Sequence, residues 1–169
     1  MVTLDDSQNT TGVYRFDSID TAGQYLSACT GLAIRHIDIF SNQLDGRLFN
    51  QPVFIANVSS LARHSRQSRI RVLVQNSQPL HGCNHDLIAL IQRLPSAAKL
   101  KVLNKDHPRV ETGFCISDRK AMVFFNNEEN AVGFYCEQVR AEARHALEAF
   151  ENLWQSQSDI DPEFKTFTL

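Results

Sequence analysis

Apolar positions along the chain follow two periods, and the places where one gives way to the other mark the elements. From Ser18, with Asp20 as a competing N-cap, Ile19, Ala22, Leu26 and Cys29 fall three and four residues apart, which predicts a helix to about Leu32. The period then shortens to two: IRHIDIF (34–40) reads as a strand, followed by a turn-rich loop, SNQLDGRLFN. Pro52 suits the first turn of a second helix, with Phe54, Val58, Leu61 and Ala62 on one face up to about Ser65. IRVLVQ (70–75) is apolar on both faces, as expected of an interior strand covered on both sides. Asn84 is the predicted cap of a helix bearing Leu87, Ile88, Leu90, Ile91 and Leu94, which Pro95 ends, and KLKVL (99–103) returns as a strand.

Beyond the loop NKDHPR the spacing changes again. GFCIS, AMVFF and AVGFYC are three short extended runs close enough to be joined by hairpins. EQVRAEARHALEAFENLW (137–154) lacks Gly and Pro and puts Val139, Ala143, Leu147, Phe150 and Trp154 on one stripe, predicting a closing helix. Repeated βα units followed by a meander and that helix give an α/β fold: one mixed β-sheet flanked by helices on both faces. Residues 1–17 are expected to form a flexible N-terminal arm, residues 18–156 the domain, and residues 157–169 a tail whose Phe164, Phe167 and Leu169 pack on the domain or a partner.

Composition narrows the classes. At 169 residues the chain fits one core, and 43% apolar with 21% charged residues describes a folded domain. A net charge of −2 argues against a general nucleic-acid binder, and the basic stretch RHSRQSRIR (63–71) reads as solvated charge at an element end. No basic segment followed by a long apolar run opens the sequence, so the expectation is a cytoplasmic protein without a membrane anchor. Cys29, Cys83, Cys115 and Cys136 lie far apart and read as reduced, mostly buried small hydrophobes. HGCNH (81–85) offers His81, Cys83 and His85 but no fourth ligand, so it reads as a helix-entry loop with one buried Cys; no metal and no cofactor are expected.

The order of elements resembles one half of a phospholipase D-like domain, with IRVLVQ similar to that family's central strand and AFENLW to its terminal helix. The resemblance covers residues 20 to 156 and is nearest to bacterial proteins carrying a degenerate version of the domain. It implies an HxKxxxxD pattern on the strand before a hairpin and a GSxN stretch after the next strand. If Asp118 stands for the family Asp, Glu111 falls on the nucleophilic His and Gly113 on the Lys; NNEE (126–129) falls near GSxN, with Asn126 and Asn127 for the Gly-Ser pair. Phospholipase D chemistry, as the resemblance implies, needs an imidazole to attack phosphorus and lysines to neutralise the phosphoryl oxygens. Glu111 and Gly113 supply neither, so no catalytic residue is assigned and Asp118 reads as a strand-end or turn acid.

The functional expectation is therefore a catalytically inactive phospholipase D-like domain acting as a binding or interaction module. Its ligand is expected to be phosphate-bearing or otherwise anionic, held by His107, Arg109, Glu111, Asp118 and Arg119, with Lys120 nearby. The alternatives are a weak phosphodiesterase or nuclease using His107 and Arg109, a protein-binding module, and a purely structural partner subunit. Because the resemblance implies two halves facing across a two-fold axis, a homodimer is expected, with Phe124, Phe125, Phe134, Tyr135, Phe164 and Phe167 as candidates for a self-complementary patch.

Overall fold

A computed structural model describes residues 12–164. In chain order the elements are β1 (Val13–Phe16), α1 (Ile19–Gly31), β2 (His36–Ser41), α2 (Gly46–Phe49), α3 (Pro52–His64), β3 (Arg69–Val74), α4 (Asp86–Arg93), β4 (Ala98–Leu103), β5 (Gly113–Ser117), β6 (Ala121–Asn127), β7 (Val132–Cys136), α5 (Arg140–Ser156) and β8 (Ser158–Asp159). The eight strands form one mixed sheet, ordered β1-β7-β6-β5-β2-β3-β4-β8. β2, β3 and β4 run parallel, while the β5-β6-β7-β1 meander adds antiparallel to the free side of β2 and β8 pairs antiparallel with β4. The α/β fold with one mixed sheet covered on both faces is the expected one.

Local chemistry accounts for most boundaries. Ser18 caps α1 by accepting from the Thr21 N–H, and Pro52 opens α3 where its missing N–H costs nothing. Asp45 caps the single turn of α2 inside the segment expected to be loop. α4 is capped by His85 rather than Asn84: the Nδ1 of His85 accepts from Leu87 N at 3.3 Å. α5 begins at Arg140 rather than 137, because Val139 N donates to Lys120 O at 2.8 Å and holds the preceding residues against the β5–β6 turn. The two edge strands carry too few residues for alternation to be read. β1 lies within the segment expected to be an arm, and β8 starts the tail.

α1, α2, α3 and α4 cover one face of the sheet over a core that includes Leu26, Ile39, Phe49, Phe54 and Phe125. α5 alone covers the other, where Phe150 and Trp154 pack on Phe40, Leu73, Phe114 and Ile116. Beneath and beside α5 the same face also carries charge, with Asp38, Arg71, Lys99 and Lys101 at alternate strand positions. Asp38 and Arg71 are register partners joined at 2.7 Å; the guanidinium also reaches Glu151 at 2.6 Å and lies 4.9 Å above the Phe150 ring. Burial outweighs the pairing and raises the Asp38 pKa, whereas for Arg71 the two carboxylates outweigh burial and keep it charged.

The four strand aromatics expected in one patch fall on two faces of the sheet. Successive strand residues point to opposite faces, so Phe125 and Tyr135 are buried in the four-helix side while Phe124 and Phe134 stack on each other beneath α5. Phe164 packs partly buried near His81; Phe167 and Leu169 lie outside the described residues. Three of the four cysteines are buried, but Cys83, expected inside, is exposed.

Asp118 and Arg119 form the tight β5–β6 turn, with φ of 52° and 62° and a Lys120 N to Ser117 O bond of 3.1 Å, as a type I′ hairpin requires. The Asp118 carboxylate accepts three backbone N–H groups, from Ile34 (2.8 Å), Arg35 (2.8 Å) and His36 (2.9 Å), tying the turn to the entrance of β2. Burial opposes its ionisation, but the three donors win and lower its pKa. Asp118→Gly, which removes the carboxylate while relieving the positive φ, is expected to cost about 1–3 kcal/mol at pH 7. A lowered folded pKa gives stability that is present above the unfolded carboxylate value and lost as pH falls through the folded one, so that cost should shrink toward pH 2 in urea titrations.

Candidate functional site

The β4–β5 connection crosses the C-terminal ends of β3 and β2 before β5 descends on the far side of β2. In open α/β sheets such a place, where strand neighbours part company, leaves a crevice. The crossing loop is pinned there by Gln75, whose side-chain amide both donates to Val110 O and accepts from Val110 N at 2.9 Å. Beneath it opens a cleft of about 310 Å³ lined by Asn42, Arg109, Val110, Glu111, Asn127, Glu128 and Glu129.

The floor of this corner is Glu128, 5% exposed. Its carboxylate accepts from the Ser41 hydroxyl and, at 3.1 Å, from Asn42 N, while its own N–H donates to Glu111 O at 3.0 Å. One residue, through its side chain and its backbone, thus joins the ends of β2 and β6 to the segment that leads into β5. Burial pushes its pKa up to about 7, against the lowering effect of the Ser41 and Asn42 donors. Gly113 opens β5 directly against this acid. A Cβ there would collide with the Glu128 carboxylate oxygen Oε2 and lie 2.9 Å from Phe40 O. Gly113 is therefore required by close approach rather than by its dihedrals.

The expected ligand residues divide between the two ends of β5. Arg109 and Glu111 line the cleft. His107 lies on the same connection but not among the lining residues, and its Nδ1 donates to Pro108 O at 2.9 Å. Asp118 and Arg119 sit beyond the other end of the strand, about 17 Å away by strand rise. Asp118 is occupied by its three backbone donors, and Arg119 lines a separate groove beside α5. Glu128 was missed as a site residue: its neighbours in NNEE look alike in sequence, and only the fold buries one of them. The cleft holds three carboxylates, Glu111, Glu128 and Glu129, against one guanidinium. Among the described residues no cluster of three His, Cys, Asp or Glu could hold a metal; His81 is engaged by Asp161 at 2.7 Å and His85 by Leu44 O at 3.0 Å. No helix among the described residues is long and apolar enough to cross a membrane.

Residues 18–167 match the family described as Domain of unknown function (DUF7931). The chain belongs to that family. No curated protein matches it. Among solved structures it is similar to a phospholipase D family member, Nuc from Salmonella typhimurium, with TM-score 0.58 and 12% identity over 88% of this chain and 97% of that one. NucT from Helicobacter pylori aligns with TM-score 0.59 and 14% identity over 86% of this chain and 95% of that one. TrmBL2, an archaeal chromatin protein with a novel mode of DNA binding, aligns with TM-score 0.63 and 11% identity over 90% of this chain, which spans 56% of TrmBL2. At these identities the likeness establishes the fold, that of phospholipase D-type domains.

Because Glu128 has a folded pKa of about 7, above its ordinary 4.5, the native state holds a proton that the unfolded chain has lost. Its contribution to stability is fully present below about pH 4.5 and is lost as pH rises through 7. Glu128→Gln is expected to flatten the fall in thermal midpoint between pH 5 and pH 8; a wild-type curve equally flat would contradict the buried acid. Gly113→Ala is expected to lower the urea midpoint, with a loss of about 1–3 kcal/mol from overpacking.

Proposed function

We propose that this domain is a non-catalytic phospholipase D-like module that binds a phosphate-bearing ligand. The observation that carries the first half is the Glu128–Gly113 contact: where the resemblance implies a lysine, there is no space for a side chain, and a carboxylate fills it. Glu111 stands at the implied histidine position on the same wall. A phosphodiester entering this corner meets three acids and only Arg109 as a counter-charge, the reverse of what stabilises a phosphoryl transition state. The alternative of a weak phosphodiesterase built on His107 and Arg109 lacks support, since His107 is not among the residues lining the cleft.

The binding half follows from charge elsewhere on the molecule. Beside α5, Arg69, Arg71, Lys99, Arg119, Arg140 and Arg144 line two adjoining clefts, and an anionic ligand is the chemistry they favour. A two-fold dimer fits the half-domain reading. With Phe125 and Tyr135 committed to the core, the apolar groups left exposed near the corner are Val110 (37%) and Val132 (39%).

Turnover of bis-p-nitrophenyl phosphate and of single-stranded DNA at high protein loading should equal the buffer blank. Hydrolysis abolished by His107→Ala would replace this reading with the phosphodiesterase. Light scattering on a sizing column is expected to give the mass of two chains, and Val132→Glu to reduce it toward one.

A further inference from the structure

At the end of the sheet opposite the acidic corner, two clefts of about 490 and 480 Å³ adjoin along α5, sharing Arg71, Arg119 and Glu151. Arg69 and Lys99 line one of them; Arg140 and Arg144 line the other. The central guanidinium is neutralised, since Arg71 is held by Asp38 and Glu151. Among the described residues, Lys99, Arg119, Arg140 and Arg144 form no ion pair within 4.0 Å, although the Arg119 charge acts on Glu151 from a longer distance. Acids are present too: Glu148 lines the second cleft, and Asp38 and Glu151 the first. The cations still exceed them, six to three.

This clustering is costly in the unliganded chain. Arg140 and Arg144 are four apart on one helix, where like charges destabilise by roughly 0.2–0.5 kcal/mol, and Arg140 lies in the first turn, against the helix dipole. Arg119 sits at a turn position with φ 62°, where glycine is the ordinary choice. The Asp118 clamp fixes that turn, so Arg119 is presented over the groove by a rigid support rather than on a loose loop. The forked donors of arginine suit phosphate oxygens.

We propose that this groove is the anion site, and that it takes a small ligand carrying two or more phosphate groups, held by Arg119, Arg140 and Arg144 with Lys99 and Arg69 extending the site. The inference rests on the reading of the domain as a phosphate-binding module and places the ligand away from the phospholipase D corner. A small ligand fits better than a nucleic acid. The total charge is −2, and the acids Glu148 and Glu151 interrupt the cationic surface that a continuous phosphate backbone would need.

The test is titration of the full chain with pyrophosphate, inorganic phosphate and a twelve-residue oligothymidylate in 150 mM salt, followed by calorimetry and by phosphorus NMR. Pyrophosphate is expected to bind at least tenfold more tightly than inorganic phosphate. Arg119→Ala and Arg144→Ala, both at exposed positions without an ion pair within 4.0 Å, should each weaken it at least fivefold with the thermal midpoint of the free protein unchanged. Arg109→Ala should leave it unaffected. Pyrophosphate binding lost in Arg109→Ala but retained in Arg119→Ala would overturn the groove while leaving the binding-module reading standing. No pyrophosphate binding at millimolar concentration would overturn the groove site. Oligothymidylate binding more tightly than pyrophosphate would overturn the small-ligand assignment. Phosphodiester turnover, by contrast, would overturn the non-catalytic reading without touching the groove.

Discussion

The carboxylate of Glu128 is taken out of water at the point where three strands end, and the geometry of the corner depends on satisfying it. A buried acid is tolerated only if its oxygens find donors or if it keeps its proton, and Glu128 does both in part. The Ser41 hydroxyl and the Asn42 N–H come from the end of β2, and its own backbone bonds Glu111 ahead of β5. Those bonds fix how close β5 approaches, which in turn leaves room only for glycine at 113.

The opposite end of the sheet is organised by a second carboxylate with a different solution. Asp118 is partly exposed, stays ionised, and saturates three N–H groups at the start of β2. The two acids therefore bracket β2 and β5: one lies at the corner where β2 and β6 end, and the other steadies the turn that carries Arg119. Between them the Asp38–Arg71–Glu151 network binds α5 to the sheet, with Arg71 lying against the Phe150 and Trp154 rings. Removing one member of that network strands a half-buried charge, so its value lies in holding α5 in one place more than in net stability.

This arrangement separates the two electrostatic characters of the molecule. Acid collects at the C-terminal ends of β2 and β6, and base collects at the N-terminal ends of β2, β3 and β4 and along α5. A net charge near neutral hides this polarity, because it arises from strand direction: residues at opposite ends of a five-residue strand such as β5 face different solvent.

The amino-acid sequence by itself determined the α/β class, the helices from Ser18, Pro52 and the 140s, and the three hairpin runs. Periodicity of apolar residues and local caps are short-range signals, and they survive in a linear text. It also made Asp118 legible as a strand-end or turn acid, because Glu111 and Gly113 fill the positions of the implied His and Lys. Yet it counted Asp118 among the ligand residues as well, where the fold instead commits it to three backbone donors. Only the tertiary structure decided which acid of NNEE is buried, that His85 caps α4, and that Phe125 and Phe124 serve different cores. Only it divided His107, Arg109 and Glu111 from Asp118 and Arg119. Those outcomes depend on which strands are neighbours and in which register. Edge strands as short as β1 and β8 carry no period of their own, and partners such as Asp38 and Arg71, 33 positions apart, become a pair only through the pairing of β2 with β3.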